Sequence, residues 1–223
     1  MSEFRQRVVH RLKALARESG SDRLVLPVGI FLLIDKEHGG DATAEELAAR
    51  FRLLDFESRN VIDFYFLGWH AASQSDSNHG VRFDIEAFAA CRTALREAGV
   101  ANFGGNADLL LVDAVYDEKA VSLDFSRACR IDLSLAVAQE SVVRLGSFLQ
   151  SVIEAAEMVA RMPEQTTHQG VVYAISDRLG LAIARESMLD YVLATWGTII
   201  GAKRLAAISV RNLGPSVDLA DIG

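Results

Sequence analysis

The stretch NADLLLVDAVYDEKAVSLDFSRACRIDL, residues 106–133, narrows the folds open to this chain more than any other. Two apolar runs flank the charged tetrapeptide YDEK, so the stretch reads as two strands joined across a turn at Asp117–Lys119. Whatever sheet the chain builds must therefore contain an antiparallel hairpin. Four acids, Asp108, Asp113, Asp124 and Asp132, are set along it. On the second run Ser122, Asp124, Ser126 and Ala128 alternate with Leu123 and Phe125, the pattern of a strand with one solvated polar face at a sheet edge.

Upstream, helical and strand-like segments alternate. Phe4, Val8, Leu12 and Leu15 fall at helical spacing in the first 20 residues. LVLPVGIFLLI reads as a buried strand ending near Asp35, and KEHGGDAT as the loop after it. Thr43 with Glu46 forms a capping box that opens a helix with the stripe Leu47, Phe51 and Leu54. NVIDFYFLGW is a second strand, and HAASQSDSNHG a polar loop. A helix from about Asp84 carries Phe88, Cys91 and Leu95 and stops at Gly99.

After the hairpin, Val142, Leu145, Leu149, Val152, Ala156 and Val159 lie on one helical face that ends before Pro163. The remainder reads as mostly helical, closing with a strand in LAAISVRNL and a frayed acidic tail. The expected fold class is α/β: a mixed, mostly parallel sheet flanked by helices, with an antiparallel hairpin and a helical C-terminal region. The expected division is an amphipathic helix over 1–20, one α/β domain over 21–214 and a tail over 215–223.

Composition excludes several classes of function. Half of the 223 residues are hydrophobic and 24% are charged, which is enough apolar material for a substantial core. The net charge of −7 argues against a general nucleic-acid binder, whose affinity rests on neutralising phosphates. No apolar run approaches 18 residues, so no membrane span is expected. Cys91 and Cys129 form neither a CxxC motif nor a disulfide pattern, which fits a reducing, cytoplasmic setting without structural zinc.

In an open α/β sheet, ligands bind beyond the carboxyl ends of the strands. Those ends carry Asp35 with His38, beside Gly39 and Gly40, and Trp69 with His70. These four side chains are the ligand-binding candidates. The glycine pair resembles a phosphate cradle in geometry, but Asp41, Glu45 and Glu46 crowd the helix start and oppose an anion there. With no GxGxxG and no GxxxxGK[ST] sequence, no nucleotide cofactor is expected. His70 and His79, nine residues apart on a polar loop, make no preformed metal site.

One alternative uses the hairpin carboxylates. Asp108 opens a strand after a helix carrying Glu97, and Asp124 follows on the paired strand. The layout resembles nucleases of the PD-(D/E)xK kind, in which two acids hold Mg²⁺ and a lysine places the attacking water. The resemblance implies Asp108 and Asp124 as catalytic and metal-binding residues of a Mg²⁺-dependent phosphodiester hydrolase. It departs at the diagnostic position, where Ser126 and Arg127 stand instead of lysine.

Residues 1–23 carry six basic and three acidic side chains, a net +3 against −10 for the rest. Such a helix suits an acidic surface, either the chain's own or a partner's, which makes Phe4, Val8 and Leu12 interface candidates. Gly197 and Gly201 in GTIIG sit one helical turn apart and would let another helix approach closely. The function expected from these features is that of a cytoplasmic interaction or ligand-sensing component of a larger, bacterial assembly. It would work as a homo-oligomer or with a protein partner, and would bind a small molecule.

Overall fold

A computed structural model describes residues 2–50, 53–54, 57–58, 61–71, 81–100, 107–118, 120–139, 142, 144–161, 170–179, 208–210 and 213–220. The amphipathic segment forms α1 (Ser2–Ser19), followed by β1 (Arg23–Leu33), a 3-10 turn (Lys36–His38) and α2 (Ala42–Ala49). Next come β2 (Asp63–Phe66), β3 (Trp69–Ala71), β4 (Val81–Phe83) and α3 (Ile85–Glu97). The hairpin is β5 (Ala107–Asp117) with β6 (Ala120–Asp132), and α4 (Leu133–Ala138) and α5 (Leu145–Ala160) follow it. Residues 171–179 are helical, and β7 (Ile208–Val210) and β8 (Ser216–Asp218) complete the described strands.

The fold is α/β with a mixed sheet in the order β2-β1-β5-β6, and β7 and β8 both pair with the outer edge of β6. The parallel share is one pair, β1 with β2, and the other described pairings are antiparallel. A strictly alternating strand–helix order would give parallel neighbours. Here β2 runs through a tight turn at Gly68 into the separate β3–β4 hairpin. The chain then enters β5 beside the carboxyl end of β1, where Leu33 faces Ala107.

Both faces of the sheet are covered. On one side Phe31, Leu33, Leu109, Leu111, Cys129 and Ile131 pack beneath α2, α4, α5 and the helix at 171–179. On the other, Val28, Ile30, Leu32, Leu110, Val112 and Phe125 pack beneath α1 and α3, together with Leu213, Val217 and Leu219. Val8 and Leu12 of α1 are 1% and 0% exposed, so the stripe drawn as an interface is spent inside the chain. Phe4 packs edge-on against Tyr65 at 5.1 Å, and Arg11 lies 3.4 Å from Asp63. The basic helix thus docks on its own sheet.

Three local readings change. The cap of α2 is Asp41, not Thr43: the Asp41 carboxylate accepts from the Ala44 amide, while Thr43 is buried inside the helix. The segment read as a frayed tail contributes β8, whose Ser216–Asp218 pair with Ser122–Asp124. Consequently β6 is not a solvated edge strand, because two short C-terminal strands occupy its outer side. Gly197 and Gly201 lie outside the described residues.

Candidate functional site

The carboxyl ends of the parallel pair β1 and β2 bring Asp35, His38, Trp69 and Phe83 near one another. After Leu33 the backbone turns through Asp35, which caps the 3-10 turn: its carboxylate accepts from the His38 amide at 3.1 Å and bonds His38 Nδ1. Gly40 then packs against β1's exit so closely that a Cβ would lie 1.7 Å from the Ile34 carbonyl oxygen. Only glycine fits there, which fixes the loop's path and the position of the Asp35–His38 pair.

Trp69 anchors the neighbouring strand end, its Nε1–H donating to the Leu33 carbonyl at 3.1 Å. Phe83, opposite Trp69 in the β3–β4 hairpin, links the two groups. Its ring lies 5.1 Å from Trp69, 5.6 Å from His38 and 5.5 Å from Phe88. His70 faces Arg82 across the same hairpin. Asp84 caps α3 beside them, and the Ala87 amide holds its carboxyl below the usual carboxylate range. The Glu86 amide and the charges of His70 and Arg82 add to this, while desolvation opposes it.

Trp69 and His70 line a cleft of about 70 Å³ between the first two turns of α1, the β2–β3 connection and α3. Phe4 and Tyr65 add aromatic surface, and Arg7 stands exposed at the rim. The buried Cys91 closes the cleft toward α3. Burial pushes its thiol up from the ordinary value, so it remains protonated and serves as an apolar wall. Of the four strand-end candidates, two line the cleft, and Asp35 and His38 stand one ring away, beyond Phe83. Arg7, Tyr65 and Cys91 were not readable as site residues, because they belong to three different elements.

The hairpin carboxylates are arranged differently. Asp108 faces Leu32 of β1 and Asp132 of β6, on the α1–α3 side. Asp124 faces Asp113, which accepts from the amides of Val171 and Val172 on the opposite side. Asp113 lies five positions after Asp108 along β5, an odd offset that spans about 17 Å and reverses the face. The sheet therefore lies between Asp108 and Asp124, and one ion cannot bridge them. Asp108 is instead fully buried, its Oδ1 accepting from Nε and Nη2 of Arg130, both at 2.9 Å. Among the described residues no group of three or more His, Cys, Asp or Glu side chains is placed to hold a metal.

An aromatic and apolar lining with a guanidinium and an imidazole at its margin suits a small ligand with a flat apolar part and an anionic group. No protein-family model matches the chain, and no curated protein or solved structure matches it either.

Proposed function

We propose that the protein is a ligand-sensing component whose site is the cleft at the carboxyl end of β2, between α1 and α3. The observation that carries this reading is the convergence of Trp69 and His70 of β3, Tyr65 of β2 and Arg7 of α1 on one cleft. The favoured ligand is a small aromatic or branched carboxylate, its apolar part against Trp69 and Tyr65 and its charge toward Arg7 and His70. Because α1 supplies Phe4 and Arg7, occupancy would be reported through that helix. Its exposed Lys13 and Arg17 face outward, where an acidic partner or a second copy within a cytoplasmic assembly would read it.

The test is a thermal-shift titration with benzoate and indole-3-acetate. A ligand that binds only the native state raises Tm in proportion to the logarithm of its concentration. The expected result is a rise for the wild type that grows with the logarithm of concentration, lost in Trp69→Ala and weakened in Arg7→Ala. No rise with either compound, or a rise that survives Trp69→Ala, overturns the reading.

A further inference from the structure

Outside the cleft, one buried carboxylate does something that no local motif explains. Asp113 lies on β5, yet its Oδ2 accepts from the Val171 amide and its Oδ1 from the Val172 amide, each at 3.0 Å. It is thus the N-terminal cap of the helix at 171–179, supplied from 58 residues away. Gly170 enters that helix at φ 83°, and a Cβ on it would stand 2.8 Å from Asp113 Oδ2. A side chain there would meet the carboxylate, so the glycine permits the approach. Behind this contact Val172, Ile175 and Leu179 are buried in the core, while Tyr173 stays exposed.

The surroundings of Asp113 are unbalanced. Across the hairpin it faces Asp124, a like charge, and β6 also brings Arg127 nearby. From β1 its register partner is Pro27, which carries no charge, and the helix contributes the amides of Val171 and Val172. Asp124 is itself held by Ser126, accepting from both its amide and its hydroxyl, and so is fixed in place.

We infer that residues 171–179 form a pH-responsive element whose docking on Asp113 tightens as the medium becomes acidic and loosens toward neutrality. The reading does not depend on the ligand cleft. Burial is the main reason that the Asp113 carboxyl is pushed up to about 6; the Val172 and Val171 amides counter it, Asp124 adds to it and Arg127 opposes it. If the helix lifts away, water reaches the carboxyl; this rehydration lowers its affinity for a proton by more than the loss of the two amide bonds raises it, so the value falls back toward the ordinary 3.8.

The docked state therefore holds the proton more tightly than the undocked one. Acid then favours docking, and the advantage disappears as pH rises through the docked value near 6. Between pH 7.5 and pH 5 the opening equilibrium should change about tenfold.

The experiment is hydrogen exchange of the full chain, following amides 171–179 across a series from pH 4 to pH 7.5, corrected for intrinsic exchange and referenced to α5. The expected result is about tenfold greater protection at pH 5 than at pH 7.5 in the wild type. That difference should vanish in Asp113→Asn, which keeps the shape and cannot titrate. Asp124→Asn removes the facing charge without touching the helix, and should move the midpoint to lower pH. Equal wild-type protection at pH 5 and pH 7.5 overturns the inference, as does a pH response that persists in Asp113→Asn. If Asp113→Asn does not fold, the Asp124→Asn midpoint decides: a downward move supports the device, and an unmoved midpoint overturns it.

Discussion

Arg130→Ala is expected to destabilise the protein by about 4–5 kcal/mol, and Asp108→Ala by about 3 kcal/mol. The asymmetry follows from burial. Asp108 is completely enclosed, whereas the Arg130 side chain is 24% exposed. Removing the arginine strands a carboxylate where water cannot reach it. Removing the aspartate leaves a guanidinium that can rehydrate in part and lean toward Asp132, whose Oδ2 is already 3.9 Å away. Replacing both together, Asp108→Leu with Arg130→Met, should recover most of the loss, because an apolar pair of similar size needs no counter-ion. Urea denaturation of the three variants reads this directly. Equal losses for the two single variants would show that the pair is more hydrated than its enclosure implies.

Leu12→Ala should cost about 2–5 kcal/mol, the range for emptying a fully buried leucine site. Leu12 is wholly buried on α1, which packs on β1 and β5. Beneath it lie Val28, Ile30, Leu110 and Val112, a strand face that would meet water if the helix lifted. Helix α1 is therefore part of the core, and its amphipathic stripe is not a detachable contact. Lys13→Ala, one residue along on the exposed side, should stay within about 0.5 kcal/mol. Both values follow from the urea midpoint at constant slope. A Leu12→Ala loss no larger than that of Lys13→Ala would contradict the packing.

The secondary structure was legible where the pattern is local. The stripe Val8–Leu12 on α1, the run of β1 and the face Phe88, Cys91, Leu95 of α3 each follow from period or continuity within one segment. The turn at Asp117–Lys119 was legible for the same reason. Partners across the sheet were not. Asp108 meets Arg130 and Asp132 because the hairpin register slips between Leu111 and Asp113. Two steps on β5, from Leu111 to Asp113, match five on β6, from Cys129 to Asp124, so β6 holds three extra residues. Counted straight from the turn, Asp108 would face Cys129. No local signal announces such a slip.

The candidate site was half legible by the same logic. Asp35, His38, Trp69 and His70 were proposed from their place at strand ends, a rule of topology that needs only strand boundaries, and of these Trp69 and His70 line the cleft. Arg7 and Cys91 reach the cleft from α1 and α3, and nothing in either helix distinguishes them from neighbours until the helices are docked. Helix α4 was missed altogether. Its signal was present in Asp132, which ends β6 and whose carboxylate accepts from the Leu135 amide.

The cleft is the centre of the functional account, and it is tested most directly by following amide shifts of ¹⁵N-labelled protein during a benzoate titration. The account predicts saturable shifts concentrated at Arg7, Tyr65, Trp69, His70 and Cys91, with the Trp69 indole N–H among them. Shifts that do not saturate, or that centre on the Asp108–Arg130 pair or another surface, would contradict it.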